Sequence, residues 1–461
     1  MKKIITILFL IVPFVLFSQK RDNVFGFATS NTFTYCSLQD TNFFNKVIDL
    51  NPRILRFPGG AVGNYYHFNG HGYGFDFEEI KKFDAGKFLK RSKGLARDAK
   101  IKGHNYDYID DFIKLAKATN SQAILVANMF AENDDIIKMI SKIKNNNIEI
   151  VGVELGSELT NRYFFQKGYT IEKYISTAKA YAKKIKDLDS TIKIGVVVAP
   201  LGKKGNHRHN VWNKRISELD FYDAIIVHSY AKVIKGTAEY GQMINEELEK
   251  GSQGEQFEIY KDRMNYFFKN IFPEEINTYT QLFDKPIWIT EWNLQMSKIT
   301  GNTMLQALFV VNYLLDILAK FDNIELTTYH NLGGRDYSGS IFKNYKESVE
   351  IHSTYYPLKI LSILFESNED FIISREIIQN EIKVYKVYYQ NKLEKIFIIN
   401  FSENSFNYFI TDFNFVKSYH SSNLYDKADI FGKLSLEVVK NKVNMNNINL
   451  KPYSFNYIKV K

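Results

Sequence analysis

Two carboxylates stand just past apolar, β-branched runs. They are Glu158 in Val153-Glu154-Leu155-Gly156-Ser157-Glu158 and Glu291 in Trp288-Ile289-Thr290-Glu291-Trp292-Asn293. A strand would deliver each of them to the mouth of a barrel. Two carboxylates converging on one cleft can cleave a glycosidic bond: one protonates the leaving oxygen and the other attacks or activates water. Gly156 lets the chain turn at the strand end, so that Glu158 points into the mouth. Glu291 closes a strand expected to be buried on both faces, where a carboxylate is costly unless it is partnered or faces a cleft. Glu154 lies inside its strand and reads as a supporting group of the barrel interior.

Other polar residues end neighbouring runs. Leu55-Arg56-Phe57-Pro58-Gly59-Gly60 carries Arg56, which can hold a buried carboxylate ionised through charge-assisted hydrogen bonds. Tyr230 can hydrogen-bond the nucleophile, and His228 and Asn128 can reach sugar hydroxyls. Tyr329 ends the last run, and Trp292 could line a sugar subsite. The polar-aromatic loop 64–75 is expected to border the cleft through His67, His71 and Tyr73. Lys90, Arg91 and Lys93 follow it as a candidate basic rim for an anionic glycan. His207-Arg208-His209 has a spacing that could bind metal, but no nearby Asp or Glu completes a set, so it reads as a polar loop. No metal or organic cofactor is expected. There is no Gly-rich phosphate loop after the first strand and no serine nucleophile elbow.

The elements that must position these groups alternate. Strands are predicted at 24–29, 53–58, 122–129, 150–155, 193–199, 223–229, 286–290 and 325–330. Stretches 108–119, 135–145, 171–187 and 304–321 have apolar residues at helical spacing. Eight strands separated by helices match a (β/α)₈ barrel, whose function sits in the loops after the strands. Two excursions, 59–105 and 231–285, are longer than that repeat needs. From 356 the pattern changes to closely spaced strands, as in a small antiparallel β-sandwich. The expected organisation is a signal peptide at 1–18, a catalytic barrel at 19–355 and a sandwich at 356–461.

The chain has 461 residues, more than one core usually spans. A basic start at Lys2 and Lys3 precedes an apolar run, 4–17, shorter than the ~20 residues that span a bilayer. This reads as an export signal, so a secreted or periplasmic protein with no stable membrane insertion after cleavage is expected. Cys36 is the single cysteine, which excludes an intramolecular disulfide. The formal charge of +9 is spread out, without a nucleic-acid recognition module. It could favour acidic glycans through long-range attraction.

Taken together, Arg56 to Gly60, Glu154 to Glu158, His228-Ser229-Tyr230 and Thr290-Glu291-Trp292-Asn293 resemble the retaining glycoside hydrolases of clan A. The pieces look most like the α-L-arabinofuranosidase group, with the β-glucuronidase/heparanase and β-xylosidase groups near rivals. The resemblance implies a (β/α)₈ barrel with Glu158 as acid/base after strand four and Glu291 as nucleophile after strand seven. It implies a poly- or oligosaccharide partner. One position departs: the clan usually has asparagine directly before the acid/base, where this chain has Ser157. A non-catalytic glycan-binding barrel, or a lyase acting on uronate-containing chains, are the competing readings.

Overall fold

The computed structural model describes residues 22–461 apart from 85, 132–133, 235–247, 336–338, 346–347, 368, 411, 429–433 and 441–446. The expected signal at 1–18 lies outside the described residues. Eight parallel strands close into a barrel in chain order: β1 (Gly26–Ala28), β2 (Ile54–Phe57), β3 (Gln122–Val126), β4 (Ile150–Leu155), β5 (Lys193–Val197), β6 (Ala224–Ala231), β7 (Ile287–Leu294) and β8 (Ile324–Tyr329). Helices link successive strands, as parallel pairing requires. Long amphipathic ones such as Ile171–Leu188 bury one face against the barrel. The first excursion folds into helices Gly60–Gly63, Phe77–Phe83 and Lys87–Ile101. The second holds helices Gln253–Tyr266 and Phe272–Leu282.

The barrel interior is packed solid beneath its mouth. Trp288 of β7 is fully buried and lies across β4 and β5. A Cβ at Gly152 would come within 2.3 Å of its ring and one at Gly195 within 2.8 Å, so only glycine leaves room there. The indole Nε1 donates to Glu325 at 2.9 Å. Strand periodicity of two places Arg56, Glu154 and Thr290 in the next interior layer towards the mouth.

β7 departs from that periodicity. Its pairing shifts register against β6 between Val227 and His228, and against β8 between Ile289 and Trp292. A bulge of this kind adds a residue and re-aims the side chains after it. Thr290 and Glu291 are consecutive, yet both reach interior partners. Trp292 is turned outward instead.

After the barrel come a helix, Tyr355–Leu361, and a six-stranded antiparallel sheet. Its order is Phe371–Ile378, Ile382–Tyr389, Lys392–Asn400, Ser454–Val460, Phe413–His420, Ser435–Lys440. A two-stranded sheet, Phe406–Phe409 with Asn447–Leu450, completes the β-sandwich. Ile382, Val384, Ile398, Ile448 and Leu450 belong to the small apolar core between the two sheets. The other face of the large sheet packs on helix Met304–Lys320, whose residues are buried continuously from Met304 to Leu318. Among the described residues no helix is long and apolar enough to cross a membrane.

Several polar groups in that junction pair with one another, although the Asn312 amide nitrogen is buried without a hydrogen-bond partner. Lys383 donates to Asn312 at 2.8 Å, Tyr385 donates to Asp316 at 2.8 Å, and Arg375 pairs with Asp316 at 3.0 Å. Removing the acid leaves cations without compensation in a dry interface. Asp316→Ala is therefore expected to lower the unfolding free energy by about 3–5 kcal/mol in chemical denaturation. A loss under about 1 kcal/mol, the level of an exposed ion pair, would show that the junction is hydrated.

Candidate active site

The mouth of the barrel opens into a cleft of about 800 Å³ that contains both Glu158 and Glu291. One oxygen of each carboxylate and a ring nitrogen of His228 all lie within 4.8 Å of one another. The two carboxylates differ in exposure, with the Glu158 side chain 31% exposed and that of Glu291 6%.

Glu291 is held on every side. Arg56, fully buried, donates from its NH1 nitrogen to Oε1 at 2.8 Å, and the Tyr230 hydroxyl donates to Oε2 at 2.9 Å. The Nδ1 atoms of His228 and His330 stand 3.6 Å and 3.7 Å from Oε2. The rest of the guanidinium binds Glu154 in bidentate fashion, at 2.6 and 2.8 Å, and Thr290 adds a hydrogen bond to Glu154 at 3.1 Å. Burial alone would raise the Glu291 pKa. The charges of His228, His330 and Arg56 outweigh it and hold the carboxyl well below the usual carboxylate range.

Glu158 is shaped by its loop. Gly156 has φ +86° and Glu158 itself φ +50°, so the chain doubles back beyond β4. Asn64 clamps the turn, donating to the Ser157 carbonyl at 2.7 Å and accepting from its N–H at 2.8 Å. Asn161 donates to Glu158 Oε2 at 2.9 Å, and His228 Nδ1 is 3.0 Å from Oε1. Burial disfavours a charged His228, but Glu291 and Glu158 outweigh it and raise its pKa above 6.5.

The structure does not bring every expected residue to this cleft. Trp292 stacks on Tyr313 at 4.4 Å and donates to Thr327, because the β7 bulge turns it into the helix layer. Tyr329 is buried beside it and donates to the Gly339 carbonyl. Asn128 is spent on its own loop: its Oδ1 accepts from Phe130 N–H and its amide donates to Glu79. His67 is tied to Asp135 and Glu79, which raise its pKa to about 9, and so helps pin the first excursion down. His71 is exposed on that excursion, away from the cleft, and Tyr73 is buried, donating to the Ser30 carbonyl. Ser157 is buried behind Glu158. Of the expected basic rim, Arg91 lines the cleft; Lys90 and Lys93 do not.

Other groups took their place. His330, Asn161, Tyr35, Arg162, Arg208 and Arg335 line the cleft. His330 follows an apolar strand, the same signal that marked Glu291. Asn161 and the arginines had only their loop positions to recommend them. His207 caps helix Arg208–Ser217, and burial lowers the pKa of His209 to about 4, with Arg208 and His207 adding to the effect. Among the described residues the donor set with metal-like geometry is instead Glu158, His228 and Glu291. A cation there would have to share Glu291 with the Arg56 guanidinium 2.8 Å away.

The charge arrangement sets a pH window for stability. Glu291, with its depressed folded pKa, contributes fully above its ordinary value of 4.5 and loses that contribution as pH falls. His228, with its raised folded pKa, contributes fully below 6.5 and loses it as pH rises through the folded value. Both contributions are whole only between these limits, where the melting temperature is expected to peak. In thermal melts across pH, His228→Asn should flatten the decline above pH 6.5. Equal slopes for variant and parent would remove His228 from that balance.

The barrel with its C-terminal sandwich is the fold of the clan A glycoside hydrolases. The chain is similar to an α-L-arabinofuranosidase from Thermotoga maritima, with 15% identity, TM-score 0.63, and 96% of this chain and 97% of that one covered. A GH51 arabinofuranosidase from Xanthomonas axonopodis pv. citri gives 11% identity and TM-score 0.66, with 96% and 97% covered. The catalytic domain of GH30 xylanase C from Talaromyces cellulolyticus gives 13% and 0.52, with 96% and 98% covered. No family model and no curated protein matches the chain.

Proposed function

We propose that this protein is a retaining glycoside hydrolase. The observation that carries the reading is the pair Glu158 and Glu291, delivered by β4 and β7 to one cleft with oxygens within 4.8 Å. Retaining enzymes need carboxyl groups about 5–5.5 Å apart, because one of them attacks the sugar directly. Inverting enzymes need a wider gap for a water. The similar structures, arabinofuranosidases and a xylanase among them, act on glycans and fit the same reading.

In the first step Glu291 attacks the anomeric carbon as the bond to the leaving oxygen breaks. Glu158 gives that oxygen its proton. In the second step Glu158 takes a proton from water, the water oxygen attacks the same carbon, and Glu291 departs as carboxylate. Arg56 and Tyr230 keep Glu291 ionised and aimed. His228, 3.0 Å from Glu158, is placed to exchange protons with it between steps. Asn161 orients Glu158 from the other side, an amide role next to the acid/base that Ser157 is too buried to fill. The segment 1–18 suits an enzyme that meets its glycan outside the cytoplasm.

The test is stereochemical. Proton NMR of the first product released from an aryl glycoside, drawn from a panel of arabinofuranosides, xylosides and glucuronides, should show the anomeric configuration of the substrate. First release of the opposite anomer would overturn the double displacement.

A further inference from the structure

The cleft is lined by Arg91, Arg162, Lys203, Arg208, Lys232 and Arg335, against two acids, Glu158 and Glu291. This is more than a basic surface continued inward. Away from the cleft Arg97 pairs with Asp98, Arg215 with Glu172 and Glu218, Arg263 with Glu249 and Arg375 with Asp316, and within it Arg335 stands 3.8 Å from Asp98. Among the described residues Arg91, Arg162 and Arg208 have no carboxylate partner, and all three face the cleft.

Arg162 and Arg208 both line the cleft, at helix starts that follow β4 and β5, and Arg208 reaches back to the carbonyl of Thr160, two residues before Arg162. Arg208 is fixed before any ligand arrives, because it donates to the Thr160 carbonyl and lies over the Phe165 ring at 5.5 Å. Burial, and then the positive charge of Arg162, make its protonated form harder to keep. Two guanidinium groups held close with no acid between them repel each other, and that repulsion is relieved by an anion with several oxygens. Arg162 follows Glu158 by one short turn, so such an anion would sit on the sugar next to the acid/base. Arg91 and Arg335, with Tyr35, occupy another part of the same cleft.

Resting on the reading of this cleft as glycan-cleaving, we propose that its substrate is a polyanionic glycan and that Arg162 and Arg208 form a subsite for an oxyanion substituent, a uronate carboxylate or a sulfate ester, beside Glu158. Long-range attraction would gather the chain, and the arginine pair would set its register.

Affinity electrophoresis tests this without turnover, so the subsite can fail while the glycosidase reading stands, or the reverse. The probes are a polyuronate (alginate), a sulfated galactan (carrageenan), and neutral xylan and arabinan, each at low and high salt. Retardation by at least one acidic probe and by neither neutral one is expected. The acidic arm that retards the protein tells carboxylate from sulfate. R162A/R208A should weaken acidic binding by ten-fold or more, and R162K/R208K by less. K90A/K93A should leave it unchanged, since neither lysine lines the cleft. Circular dichroism of each variant checks the fold. Retardation by neutral probes alone, by no probe, or equally for parent and R162A/R208A overturns the proposal. So does an R162A/R208A loss matched by K90A/K93A, which would mark nonspecific surface charge.

Discussion

Glu291→Ala is expected to lower turnover by roughly 10⁵-fold or more on every glycoside, whatever its leaving group. The reason is the absence of a substitute. Glu154 is the nearest other buried acid, but both its oxygens are bound by Arg56 and it lies deeper in the barrel. The variant should still fold, because Arg56 keeps its bidentate partner. It should bind glycan with near-parental affinity. Its freed Tyr230 and Arg56 offer donors to a small external carboxylate, so formate should restore measurable turnover, with inversion at the anomeric carbon. Unchanged activity, or an equal loss of binding and turnover, would mean that Glu291 is structural.

Glu158→Ala should separate substrates by their leaving groups. A proton donor contributes roughly 10²–10⁴-fold when the departing oxygen is basic. Unactivated oligosaccharides should therefore slow by about that factor, while a dinitrophenyl glycoside should form the covalent intermediate at close to the parental rate. Hydrolysis of the intermediate then becomes limiting, because no base activates water. Azide needs no base, so it should accelerate that step and yield a glycosyl azide of retained configuration. A uniform slowing of all substrates without azide rescue would assign the proton transfer to another group.

The two acids were legible because a carboxylate at the end of a doubly buried run has few places to go. The barrel was legible for a related reason: eight short apolar runs separated by helical stretches leave little choice of architecture. Trp292 was not legible as a core residue. Alternation along β7 puts it on the face of Thr290, and only the register shift reverses that. His67 and His71 followed a promising loop, but Glu79, in the helix after it, and Asp135, far along the chain, claim His67. Charge was misread in a different way. A search for consecutive basic residues finds 90–93, of which Arg91 alone lines the cleft, whereas the other cleft cations come singly from separate segments of the chain. Lack of an acidic partner, not clustering, distinguishes Arg91, Arg162 and Arg208, and pairing is invisible without coordinates. Asn161 escaped for want of any signal beyond lying three residues after Glu158.

Helix Met304–Lys320 has a consequence for how this architecture can change. It is sheathed on one side by the barrel strands and on the other by the C-terminal sheet, with no wet face. In most (β/α)₈ barrels the outer helices are amphipathic and meet water, so a barrel can gain or shed appended modules at little cost. Here the eighth repeat has given up that independence. A chain cut after the barrel would present Leu308, Val311, Leu315 and their neighbours as a sticky apolar stripe, with Asp316 left only its helix neighbour Lys320 as a partner. Such a fragment would self-associate before it could be screened for activity. An exchange of this sheet is therefore expected to yield a folded chain only when the helix beneath it is exchanged as well.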